Sequence, residues 1–151
     1  MAPTARIAAL ACWSLMSVGC GSCSPIRGYS VVIPASLRGS WVVIERDNPK
    51  CPALKRGAFS SEVEIPSDGY LCTSTAQESG WLVASYFARE NAKLARLNDD
   101  TEILREGSLE VRAKGCQIRA EVFFFGERSE LRQSQISPED VLKKHHPSCF
   151  D

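Results

Sequence analysis

Gln117-Ile118-Arg119-Ala120-Glu121-Val122-Phe123-Phe124-Phe125 decides the fold of this chain. Its first half alternates, with Ile118, Ala120, Val122 and Phe124 on one face, which is the period of a β-strand. Phe123 and Phe125 then make the second half apolar on both faces. Such a strand needs cover on both sides, so it is expected to lie centrally in a sheet or beneath the C-terminal tail.

Working outward, residues 29–33 and 40–46 are rich in Val and Ile and read as strands, joined by the connection 34–39. Residues 47–57 hold Asn48-Pro49 and Cys51-Pro52 and read as a loop. Residues 61–65 alternate, with Val63 and Ile65 on one side and Glu62 and Glu64 on the other. Pro66-Ser67-Asp68-Gly69 suits a tight hairpin, and 70–73 continues as a strand. Residues 81–87 and 108–113 are further strands, the latter followed by a Lys114-Gly115 turn. Residues 88–97 read as either a helix or a polar hairpin arm. The tail differs: Ser137-Pro138-Glu139-Asp140 supplies a capping hydroxyl, a proline at the first helical position and acids in the first turn. Lys143, Lys144, His145 and His146 follow where positive charge complements the helix dipole, and Pro147 ends the helix. The expected fold is all-β: a small antiparallel β-sandwich or barrel with a short C-terminal helix. It forms one domain over 29–151, with a helical tail at 137–151.

The first 19 residues read as a leader. Arg6 gives a positive start, 7–18 an apolar run too short to span a bilayer, and small residues precede Cys20. Ser17-Val18-Gly19-Cys20 resembles the bacterial lipobox, although its first position is more often aliphatic. The expectation is a signal peptide over 1–19, an acylated Cys20 and a short tether over 20–28. Plain secretion is the alternative. The 18 basic and 18 acidic side chains balance, which argues against a nucleic-acid partner and an electrostatic grip on anionic lipid. The membrane link is then the lipid on Cys20 itself.

Of the seven cysteines, Cys12 falls in the leader. With Cys20 acylated, Cys23, Cys51, Cys72, Cys116 and Cys149 remain, and an exported domain favours disulfides. Four cysteines permit three connectivities that sequence cannot separate. Local reasoning prefers Cys51–Cys72, across one turn, and Cys116–Cys149, clasping the tail, with Cys23 left free in the tether.

Ile33-Pro34, the run Arg38-Gly39-Ser40-Trp41-Val42-Val43-Ile44, Cys51-Pro52, and Ile65-Pro66-Ser67-Asp68-Gly69-Tyr70-Leu71-Cys72-Thr73-Ser74 together resemble a family of small exported bacterial proteins known only as a domain of unknown function. Gly80-Trp81 and Phe123-Phe124-Phe125-Gly126 extend the likeness, which covers 29–127. The resemblance implies a small β-rich fold and carries no activity, because the family has none to transfer.

Candidate chemistry is sparse. His145, His146 and Cys149 are metal-ligand types, but adjacent helical residues point about 100° apart; the plainer role is to complement the helix dipole beside a disulfide. Thr73-Ser74-Thr75 and Ser60-Ser61 lack a nucleophile elbow, and both histidines lie in the tail. Glu62 with Glu64, and Asp99, Asp100 and Glu102, read as solvated acids. Cys20 and Cys23 have dithiol spacing but sit in the tether. Trp41 and Trp81 read as core residues, or else as parts of a partner patch together with Tyr70, Tyr86 and Phe150. No catalytic residue, metal or cofactor is assigned. The expected function is a non-enzymatic envelope lipoprotein binding a protein or cell-wall partner, with a metal-dependent or hydrolytic envelope enzyme as the alternative.

Overall fold

The computed structural model describes residues 28–55, 60–76 and 83–150. The leader, Cys20, Cys23, the tether up to residue 27 and the Gly80-Trp81 pair lie outside these residues. Among the described residues the strands are β1 (Gly28–Pro34), β2 (Ser40–Arg46), β3 (Ser60–Glu64), β4 (Tyr70–Cys72), β5 (Val83–Glu90), β6 (Lys93–Arg96), β7 (Ile103–Ala113) and β8 (Cys116–Phe125). Two helices follow, α1 (Arg128–Gln133) and α2 (Pro138–His145). The strands form two four-stranded sheets, ordered β3-β1-β5-β6 and β4-β2-β8-β7. This is the small β-sandwich with a C-terminal helix that the strand periodicity implies.

β8 lies between β2 and β7, so it is central as its double-sided apolar run requires. Phe123 and Phe125 face the other sheet, packing with Val31, Ile33, Val42, Ile44, Val63 and Tyr86. Ile118, Ala120 and Val122 face outward, where Leu142 of α2 and Cys149 cover them together with Val43. Leu142 is fully buried, which stabilises the docked tail by about 1.5–3 kcal/mol. Ser137 caps α2: its hydroxyl accepts from the Asp140 amide, while the Asp140 carboxylate accepts from the Ser137 amide.

Three features differ from the sequence reading. The sheets are mixed: β1 runs parallel to both β3 and β5, and β2 parallel to β4. The chain repeatedly leaves one sheet for the other and returns, so strands that come to lie side by side point the same way. For the same reason Pro66–Gly69 is a crossing between sheets rather than a hairpin, since β3 and β4 belong to different sheets. Finally, α1 has no counterpart in the sequence reading. Residues 88–97 resolve into a hairpin arm, β5 pairing antiparallel with β6 around Asn91 at φ 54°. Trp41 is half-buried on the outer face of the second sheet, edge-on to Phe124 with ring centroids 5.7 Å apart, and not between the sheets.

Candidate functional site

The alternation of β2 that sends Val42 and Ile44 into the sandwich sends Val43 and Glu45 outward, under the tail. Glu45 is only 3 % exposed, and a carboxylate this buried requires hydrogen-bonding partners. It has three. Asn48 donates its amide to Oε1 at 2.9 Å, the Tyr70 hydroxyl donates to Oε2, and His146 Nε2 lies 2.7 Å from the same oxygen. Parallel pairing of β4 with β2 supplies Tyr70, and the C-terminus of α2 supplies His146. Burial, reinforced by the hydrogen bond to Glu45, pushes the Tyr70 hydroxyl well above the usual phenol range, so it stays a proton donor.

His145 occupies the same place from the preceding position. Its ring stacks on Tyr70 with centroids 3.8 Å apart and planes 13° from parallel, and its Nε2 lies 3.3 Å from Asp68 Oδ2. Asp68 in turn accepts from the Tyr70 amide at 3.2 Å. Two cysteine pairs flank the network: Cys51 and Cys72 have Cα atoms 5.7 Å apart, and Cys116 and Cys149 5.8 Å. Both are at disulfide distance. A cleft of about 550 Å³ opens beside His146 and Glu45, bordered by Asn48, Lys50, Arg119 and Ser148.

A second polar group lies between the sheets. Arg46 meets Glu121 at 2.9 Å with its guanidinium over the Tyr29 ring, and Tyr86 donates to Glu106. Burial, and next the charge of Glu121, push the Tyr29 hydroxyl up to about 12.

The geometry of the outer network ties the tail to the sheet through one buried carboxylate. A histidine that relays a proton binds the acid through one ring nitrogen and the nucleophile through the other. In His146 the same Nε2 meets both Glu45 and Tyr70, the latter at 2.9 Å. At 2.7 Å the imidazole and carboxylate are in direct hydrogen-bond contact. Among the described residues no three His, Cys, Asp or Glu side chains converge as ligands.

Of the residues weighed from sequence, His145 and His146 come together but face different carboxylates, while Cys149 lies against Cys116. Glu62 and Glu64 point outward to Arg89, and Glu102 to Arg38. Thr73 is buried and binds the Pro52 carbonyl at 2.9 Å, a loop contact. Sequence reasoning missed Glu45, Asp68 and the hydroxyl role of Tyr70. A glutamate at an apolar strand's end is the one available signal.

No family model and no curated protein matches this chain. Among solved structures it is similar in fold to the crystal structure of the "Putative Lipoprotein from Bacillus anthracis". The likeness covers 82 % of this chain and 96 % of that one, at a TM-score of 0.58 and 13 % identity.

Proposed function

We propose that this chain is an exported bacterial envelope lipoprotein and a non-enzymatic binding or structural module. In this reading residues 1–19 are removed, Cys20 carries the lipid, and the β-sandwich stands off the membrane on the tether to residue 28, facing the periplasm or exterior. The observation that supports it most is the partition of the cysteines. Cys20 follows the small residues Ser17-Val18-Gly19, whereas Cys51, Cys72, Cys116 and Cys149 pair off at disulfide distance in the folded body. We read both pairs as disulfides, formed in an oxidising compartment. Two or more acyl chains give the stable anchoring that one cannot. The likeness to a named lipoprotein and the resemblance to small exported proteins over 29–127 point the same way. Metabolic labelling with an alkyne fatty acid, followed by membrane fractionation, tests the anchor. The wild-type chain is expected labelled and membrane-bound, and Cys20→Ser unlabelled. An unlabelled wild-type chain in the soluble fraction would make it a secreted protein.

A further inference from the structure

The outer face of the second sheet is only partly covered by the tail. α2 lies over Val43, Ala120 and Val122, and at the other end a cleft of about 660 Å³ opens between β2, β7 and α1. Its apolar lining comes from Trp41, Leu104 and Leu131, with Ile136, 61 % exposed, at its edge. Its charged lining is Arg105, Arg128 and Arg132, with no carboxylate. None of the three has an ion-pair partner among the described residues.

Two local devices produce this segregation. On α1, residues 128, 131 and 132 share one face by helical spacing and line the cleft. Glu127 and Glu130 are drawn away to Arg38, at 3.0 and 3.7 Å. On β7 a bulge between Leu104 and Gly107 inserts an extra residue. The exposed Glu106 then accepts from Tyr86 and is kept out of the cleft lining, while Arg105, at φ 51°, joins Leu104 in it. A positive φ is sparsely populated by residues with a side chain, and bulges commonly re-aim a side chain next to a site.

We propose that this cleft docks an acidic peptide segment of a partner protein, an apolar side chain resting against Trp41 and Leu104 and its flanking carboxylates taken by Arg105, Arg128 and Arg132. Trp and Arg are the side chains that most often dominate interface energetics, and a guanidinium matches a carboxylate with two parallel hydrogen bonds. The concavity has the size of a ligand site and not of a flat lipid contact. The proposal deepens the reading of the chain as a binding module and is independent of the lipid on Cys20.

The test is fluorescence anisotropy of a labelled, end-blocked Glu-Leu-Glu-Leu-Glu peptide against the mature chain in detergent. Saturable binding with a Kd of about 1 mM or tighter is expected, weakened about tenfold by Arg128→Ser or Arg132→Ser. Both positions are exposed, so the fold should tolerate either change. Arg112→Ser, at the far hairpin, is expected to leave the affinity unchanged. Ile136→Ser should weaken binding without altering the near-UV circular dichroism. Equal binding of the Gln-Leu-Gln-Leu-Gln peptide would overturn the proposal, as would arginine variants with wild-type affinity or no binding at about 5 mM. Cosedimentation of the Cys20→Ser chain with phosphatidylcholine vesicles of about 30 % phosphatidylglycerol, lost in Arg128→Ser, would assign the cleft to lipid and overturn it too. Failure of acylation at Cys20 leaves every one of these outcomes unchanged.

Discussion

Glu45 and His146 are 101 positions apart in the chain and meet at 2.7 Å, one from a central strand and one from the end of the last helix. Their contact makes the tail part of the domain and not an appendage.

Removing either partner therefore has unequal consequences. The Glu45 side chain is 4 % exposed and that of His146 22 %. Glu45→Ala takes the acceptor from Asn48, Tyr70 and His146 at once, leaving only the 2.9 Å contact between Tyr70 and His146, and should cost about 2–3 kcal/mol. His146→Ala leaves Glu45 with two donors and should cost about 1–2 kcal/mol. Urea unfolding reads both. A His146→Ala change below about 0.5 kcal/mol would show that the tail does not depend on this clasp.

All three tyrosines, Tyr29, Tyr70 and Tyr86, are pushed upward, chiefly by burial. A folded value above the unfolded one favours the protonated fold. The contribution is therefore complete below the ordinary phenol value of about 10 and is lost as pH rises through the raised values. For Tyr29 that window runs from about 10 to about 12. Phenolate absorbance should appear only above the ordinary value, together with loss of the folded circular dichroism signal. Phenols that ionise near pH 10 with the fold intact would contradict the packing around them.

Leu142 and Cys149 hold the tail to the outer face by different means. Leu142→Ala should cost about 2–5 kcal/mol through the cavity it leaves. Replacing Cys116 and Cys149 together by serine opens a closure spanning 33 residues and should cost about 3–4 kcal/mol on chain-entropy grounds. Thermal unfolding with and without reductant measures the second effect. If reductant lowers the midpoint of wild type and double variant equally, the Cys116–Cys149 bond contributes nothing.

Two glycines should respond oppositely to alanine. Gly69 sits at φ 79°, and a Cβ there would lie 2.9 Å from the Trp41 carbonyl oxygen at the crossing between sheets. Gly69→Ala should destabilise by more than about 1 kcal/mol. Gly107 has nothing within 4 Å of its Cβ position. Gly107→Ala should be neutral or stabilise by up to about 1 kcal/mol. Denaturant midpoints of the two variants make the comparison.

What the chain reveals about itself follows from the range of each interaction. The burial of β8 on both faces is written in Phe123 and Phe125, because alternation is local, and the cap on α2 is written in Ser137 and Asp140 for the same reason. The crossing at Pro66–Gly69 reads as a hairpin because turn residues mark a reversal without naming the sheet the next strand joins. α1 is too short for its pattern to stand out, with one apolar residue, Leu131, between two arginines. The Glu45 network is invisible, since its members come from strand, turn and tail and only the fold brings them together. The arginine-lined cleft depends on a bulge at Arg105, which one extra residue creates and no composition signals.

The most direct test of the account is the intact mass of the protein from its native membrane fraction, alkylated with and without prior reduction. The account predicts a chain beginning at Cys20 and carrying acyl chains, with four thiols that become reactive only after reduction. An unacylated mass, or those thiols free without reductant, would contradict it.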